Sequence, residues 1–263
     1  MKKKLPLILL LIFLGAVYAT YLIYQDYGSL VVHLWNLVPP LIASLSAFYA
    51  IRIYGRGNPH AKALSLLSLG IFFWFLGEFI WFILEFFFHS YPFPSIADFF
   101  YLLAYPVLLA GLIVEFKNNK IKWTPLRLTV CVSKCIVFAL LVIYFGIIKT
   151  YDPGEALTSN LIAMSYGVGD LVLIILSSLI LMIALNYQKG RLFVPWALVF
   201  SGFVLILISD ILFAMYQEAY ENLLSYARNI DLGWITGFSL LALGFYKIGE
   251  SIEDTKKKLL GIK

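Results

Sequence analysis

The chain has 263 residues, 62% of them hydrophobic and 13% charged, with a mean hydropathy of +0.89. Soluble domains carry about a quarter charged residues, so this composition excludes a soluble globular protein and describes an integral membrane protein. The formal net charge of +5 is divided among short segments between apolar runs, which is a topology signal rather than a nucleic-acid footprint.

Cutting the chain into runs long enough for a roughly 30 Å hydrocarbon core, about 20 residues each, gives eight spans near 5–25, 30–53, 64–88, 95–115, 128–148, 160–186, 192–217 and 230–248. The expected fold class is an all-α polytopic membrane protein, a single membrane domain over residues 1–263. Span 1, Met-Lys-Lys-Lys followed by an apolar run, also has the form of a secretory signal peptide. A retained anchor is preferred, because the internal duplication described below needs span 1 as the counterpart of span 5. Span 2 contains Pro39-Pro40 and span 4 contains Pro106. Proline removes backbone donors, so a bend or break is expected at both places.

Spans 3 and 4 carry Glu78, Glu85 and Asp98 inside apolar sequence, and spans 7 and 8 carry Asp210 and Asp231. Span 5 contains Cys131 and Cys135, one helical turn apart and read as packing residues, together with Lys134; span 6 contains Asp170. Ile248 at the end of span 8 and Ile252 in the tail 249–263 stand one turn apart, ahead of Lys256, Lys257 and Lys258. A solvated anchor on anionic lipid and a short helix docking a cytoplasmic signalling partner or a second copy are the two readings of that tail.

Basic residues fall into alternate segments. Lys2, Lys3 and Lys4 precede span 1, Arg52, Arg56 and Lys62 join spans 2 and 3, and Lys117, Lys120, Lys122 and Arg127 join spans 4 and 5. Lys189 and Arg191 join spans 6 and 7. The other loops carry Asp26, His89, Asp152 and Glu155, then Glu221 with Arg228. The positive-inside rule therefore predicts both termini in the cytoplasm and a plasma-membrane location.

Gly70, Glu78, Asp98 and Gly111 map onto Gly202, Asp210, Asp231 and Gly244 at offsets of 132, 132, 133 and 133, with the slip in the loop. Tyr101 then faces Trp234, Tyr105 faces Phe238 and Leu108 faces Leu241. This reads as a duplication of four spans, 1–115 and 116–248. An even number of spans per copy makes it a parallel repeat with its axis along the membrane normal.

At about 1.5 Å per residue, Glu78 lies past mid-depth toward the outer side, Asp98 near the outer end of span 4, and Asp210 and Asp231 at matching depths. Asp170 and Lys134 come out at one level near the middle. Opposite charges at one depth in low dielectric are expected partners, so a Lys134–Asp170 ion pair is predicted. Glu78, Asp98, Asp210 and Asp231, with Tyr101 and Trp234 as walls, are the candidate ligand-binding residues. Carboxylates among aromatic rings suit a small cationic or polar ligand. Two plainer readings stand beside this one: aromatic side chains form interfacial belts, and Asp98 and Asp231 sit where helix caps belong.

Gly167-Val168-Gly169-Asp170 matches the GxGD element of intramembrane aspartyl proteases, in which two aspartates on neighbouring helices activate water. The second aspartate of that pattern follows a tyrosine within a span, whereas Tyr151-Asp152 falls in a loop here. His33, His60 and His89 occupy separate segments and form no zinc motif. No catalytic residue, metal or cofactor is predicted.

Pro94-Ser95-Ile96-Ala97-Asp98-Phe99-Phe100-Tyr101-Leu102, then Tyr105-Pro106, Gly111 and Gly169-Asp170, resemble the multi-span sensor-type membrane domain found ahead of bacterial diguanylate cyclases and kinases, with stand-alone relatives in archaea. The resemblance covers spans 3 to 8 and implies a membrane input domain. The sequence given carries about 15 residues beyond span 8 and no output module. The function expected is a receptor-like, ligand-binding membrane protein with an outward-facing acidic and aromatic cavity, signalling through a partner; a secondary transporter using buried carboxylates is the alternative.

Overall fold

A computed structural model describes residues 5–119, 124–185 and 191–261. Lys2, Lys3, Lys4, Lys120, Lys122 and Lys189, on which part of the charge pattern rests, lie outside the described residues. The described chain is helical throughout and contains eight helices long and apolar enough to cross a membrane.

These are α1 (Leu5–Ala19), α2 (Leu30–Tyr54), α3 (Pro59–Phe82), α4 (Ile96–Lys117), α5 (Pro125–Leu141), α6 (Leu157–Ala184), α7 (Phe193–Met215) and, after the short α8 (Gln217–Glu221) and α9 (Ser225–Arg228), the long α10 (Asp231–Leu259). Wider π-helical turns at Thr20–Tyr24, Ile83–Phe87 and Val142–Ile148 extend α1, α3 and α5. The starts are written locally. Ser29 accepts from the Val32 amide ahead of α2, Asn58 accepts from His60 with Pro59 in the first turn of α3, and Thr124 accepts from Arg127 ahead of Pro125. Each side chain satisfies a backbone donor that the first turn leaves free.

Six helices close into a ring, in the contact order α2, α3, α4, α6, α7, α10 and back to α2. α1 lies outside it against α10, and α5 lies outside it against α6. α2 stays one helix through Pro39-Pro40, and α4 through Pro106. The expected breaks are absent because both helices are held between ring neighbours, whose packing offsets the missing donors.

Apolar burial gives little drive between helices in lipid, so close backbone approach does the work. Gly70 on α3 seats Leu108 of α4, and Gly111 on α4 seats Leu67 and the Ala63 carbonyl of α3. On the other side of the ring Gly202 seats Leu241 and the Gly237 carbonyl, while Gly244 seats Val199 and the Pro195 carbonyl. At the centre Trp74 stacks edge-on against Tyr105 at 5.7 Å, Phe238 at 5.6 Å and Phe203 at 6.2 Å. That cluster joins α3, α4, α7 and α10.

α10 does not end at the last apolar residue. It continues to Leu259 and folds its Ile248 and Ile252 face against its own chain, both side chains being buried. Tyr49 of α2 donates to Glu253 at 2.8 Å and stacks on Tyr246, and Lys256 donates to the Ile53 carbonyl at 2.5 Å. The face that the sequence offered to a docking partner is covered by α2 and its surroundings.

Gly202→Ala is predicted to destabilise the bundle by roughly 1–3 kcal/mol, the scale of overpacking, because its new methyl would stand 2.7 Å from a backbone oxygen that cannot turn aside. Gly15→Ala, with open space around it, should leave the melting temperature level or slightly raised. Thermal unfolding in detergent, followed by loss of the monodisperse chromatographic peak, checks both.

Candidate functional site

Above the Trp74 cluster the ring opens into a cavity of about 100 Å³. Tyr27, Phe93, Gln217 and Tyr220 from the connections α1–α2, α3–α4 and α7–α10 contribute to its wall. The cavity therefore lies at the end of the ring away from both chain termini.

All six predicted ligand residues, Glu78, Asp98, Tyr101, Asp210, Asp231 and Trp234, line this one cavity. Glu85 joins them, which makes five carboxylates, against Arg228 and His33 as the basic groups in the wall. How each carboxylate is satisfied differs, and the differences assign the roles.

Asp98 works in two directions. Its Oδ2 accepts from the Ser95 amide at 2.6 Å, while the Ser95 hydroxyl oxygen accepts from the Ala97 amide, a reciprocal cap at the start of α4. Its Oδ1 accepts from the Tyr166 hydroxyl of α6 at 2.5 Å. The capping reading and the cavity reading are thus both satisfied by one residue. Asp231 caps nothing with its side chain. It accepts from Tyr220 at 2.5 Å and from Tyr21 at 2.7 Å, with the Asn36 amide at 3.4 Å. Burial first, and the Asp231 carboxylate next, hold the Tyr220 phenol well above its ordinary range, so it remains a donor.

Glu85 is the paired carboxylate. The Arg228 guanidinium bonds to its Oε1, the Trp81 indole donates to Oε2 at 2.8 Å, and His33 Nε2 lies 3.5 Å from the same oxygen. Arg228 is 3% exposed; its Nε donates to the Tyr220 carbonyl at 3.0 Å and its plane lies 4.0 Å above the Tyr220 ring. His33 turns Nδ1 to the Ser29 carbonyl at 2.9 Å, so both ring nitrogens face acceptors, the arrangement of an imidazolium.

Glu78 and Asp210 face the cavity without a basic partner. Tyr101 stands beside Glu78, and the Trp234 indole donates to Asp210 Oδ1 at 2.6 Å. Glu78 is partly buried and borders the cavity. No family profile, curated protein or solved structure matches this chain. What the site does is therefore argued from its own chemistry.

The predicted Lys134–Asp170 ion pair is corrected. Asp170, 2% exposed, accepts from the Tyr105 hydroxyl at 2.9 Å and faces Asp210 of α7. Lys134 stands on α5, a helix with no buried residue, and makes no ion pair with Asp170. Equal depth says nothing about which way a helix turns its side chains: α5 lies outside the ring, while α6 turns Asp170 inward to Tyr105 and Asp210. Asp152, the other acid of the GxGD comparison, stays in its loop, where it accepts from the Gly154 amide at 2.7 Å.

Sequence reasoning missed the Glu85–Arg228–His33 cluster and the phenols Tyr21, Tyr105, Tyr166 and Tyr220 as donors. Arg228 did carry a signal: it is the basic residue of a loop that the charge pattern otherwise leaves acidic or neutral. The tyrosines carried none, since aromatic residues are common at membrane interfaces.

Glu85→Gln is predicted to destabilise the protein by about 3–5 kcal/mol, because it strands a buried guanidinium. Glu85→Gln combined with Arg228→Met should recover a large part of that loss. Denaturant or thermal unfolding of Glu85→Gln, Arg228→Met and the double variant against wild type measures it, and a loss in the double variant equal to the sum of the two single losses would show that the pair has no mutual role.

Proposed function

We propose that this protein binds a small organic cation within the membrane, in a cavity that opens toward the outer face. The observation that carries this is the charge balance of the wall. Arg228 and His33 are spent on Glu85, and phenols, indoles and an amide serve Asp98, Asp210 and Asp231. Hydrogen-bond donors stabilise a carboxylate without neutralising it, so the cavity keeps an excess of negative potential. Tyr101, Tyr105, Trp234 and Phe238 supply ring surface around it, and a cation desolvated between rings and carboxylates gains from both. A volume of about 100 Å³ suits a ligand of a few heavy atoms, by comparison with cavities of about 150 Å³ that take benzene.

The outward orientation rests on the charge rule, which places both termini in the cytoplasm and the cavity at the opposite end. The duplication is supported by matched packing: Gly70–Leu108 with Gly202–Leu241, and Gly111–Leu67 with Gly244–Val199. Exchanging α2, α3, α4 for α6, α7, α10 also maps the ring of contacts onto itself, α2–α10 becoming α6–α4. In this reading the cavity lies around the axis, and Tyr101 beside Glu78 corresponds to Trp234 on Asp210. The residues that carry the resemblance to sensor-type domains fall on the same feature: Asp98, Tyr101 and Tyr105 line the cavity, and Gly169 leaves room for the Tyr105 ring. A receptor role follows from that resemblance. A secondary transporter is the second reading, favoured by one observation, that Asp210 meets both the cavity and the deeper Asp170.

The test is a thermal-shift and tryptophan-fluorescence titration in detergent with small organic cations, tetramethylammonium and methylamines among them. Wild type should be stabilised, and Trp234 emission should change on binding. Glu78→Gln/Asp210→Asn should lose at least about tenfold in affinity, about 1.4 kcal/mol. Identical titrations of wild type and double variant would remove the cation site. Uptake into proteoliposomes separates transporter from receptor.

A further inference from the structure

Below the cavity the chain buries two acids where it supplies too few hydrogens. Asp170 of α6 and Asp210 of α7 meet at the Tyr105 hydroxyl of α4, whose oxygen lies 2.9 Å from Asp170 Oδ1 and 3.3 Å from Asp210 Oδ2. A phenol has one hydrogen to give. Asp210 Oδ1 takes the Trp234 indole at 2.6 Å, and Asp170 Oδ2 is buried with no donor at all. Four carboxylate oxygens therefore share two donated hydrogens.

The groups facing the pair from each packed element supply no positive charge. α4 presents Tyr105, α6 presents Tyr166 beside that hydroxyl, α10 presents Trp234, and α3 presents Glu78 toward Asp210. The π-helical turn that packs on α6 meets it one turn away, with Val142 and Gly146 against Gly167. Arg228 and His33 are held at Glu85. Two ionised carboxylates this close, within a membrane and without a cation, are not a stable arrangement; such pairs share one proton.

We propose that Asp170 and Asp210 form a proton-binding site that holds one proton between them, and that a cation entering the cavity is exchanged for it. The exchange half rests on the cation-binding reading above. The step balances: one monovalent cation arrives beside Asp210, and one proton leaves through the cavity-facing side of Asp210 to water, so the charge of the site is unchanged. Tyr105 positions both carboxylates and follows the proton by turning its hydroxyl hydrogen from one acid to the other.

Infrared difference spectroscopy of the full chain in nanodiscs tests the proton independently of any ligand. Wild type should show the carbonyl stretch of a protonated carboxylic acid at neutral pH, and Asp170→Asn and Asp210→Asn should each abolish it. Tyr105→Phe keeps the packing and both acids, so it guards against misfolded variants: the band should persist but move, because the carbonyl loses a hydrogen bond. A band that survives both asparagine substitutions, or one that Tyr105→Phe leaves in place, overturns the proton site. Tetramethylammonium added to weakly buffered protein, read with a pH indicator, tests the exchange. About one proton released per cation bound in wild type, and none in Asp170→Asn, is the expected result. Binding without release overturns the exchange. Absence of binding removes the cation site and the exchange with it, while the infrared band still decides whether the acids hold a proton.

Discussion

Carboxylates in a bilayer must find hydrogen donors inside the protein, and much of this bundle is arranged to supply them. The hydrocarbon around the ring offers none, and a lysine or arginine for every acid would add its own desolvation cost. The chain uses a cheaper donor, the phenol or indole at the tip of an otherwise apolar side chain, which buries its ring in the core and spends its polar end on the acid. Tyr21, Tyr105, Tyr166, Tyr220, Trp81 and Trp234 all do this. Each of these bonds except Trp81–Glu85 joins two different elements, so the same contacts that satisfy the acids also tie the ring together.

The exception in charge is informative. Glu85 alone receives a guanidinium, and it sits in the π-helical turn that ends the third span, next to the loops. Arg228 reaches it from just before α10, while its aliphatic stem and plane rest on Tyr220. This pair closes one wall of the cavity mouth, joining α3 to the α9–α10 junction. It fixes the shape of the cavity mouth, while Glu78 and Asp210 stand further in without a basic partner of their own.

The eight spans were legible because hydropathy and length are properties of the sequence itself. The six cavity residues were legible because a helix converts position into depth, and because Glu78 with Asp210 and Asp98 with Asp231 recur at offsets of 132 and 133. Azimuth was not legible. The rise per residue sets Lys134 and Asp170 at one level, but hydropathy cannot say that α6 turns Asp170 into the ring, toward Tyr105 and Asp210 and away from α5. What the tail packs on was not legible for a related reason. Ile248 and Ile252 were visible as an apolar face, yet the partner that covers it, around Tyr49 on α2, is some two hundred residues away in sequence.

Asymmetry between the halves locates the chemistry. If the ring descends from two equal copies, Tyr105 and Phe238 occupy one repeated position, yet only Tyr105 carries a hydroxyl, and only its neighbour α6 brings an aspartate to meet it. On the other side α2 offers Asn36 toward Asp231, and no second acid pair forms there. A symmetric pair of acid sites would double the desolvation cost in a small bundle, whereas one site beside the axis lets both halves contribute walls to a single cavity. Asp210 is the residue where the two requirements meet: it belongs to the set that faces the cavity and to the acid pair beneath it. In the proposed exchange, a cation in the cavity acts first at Asp210 of α7, then through the Tyr105 hydroxyl of α4 at Asp170 of α6, the helix that packs on both of the others.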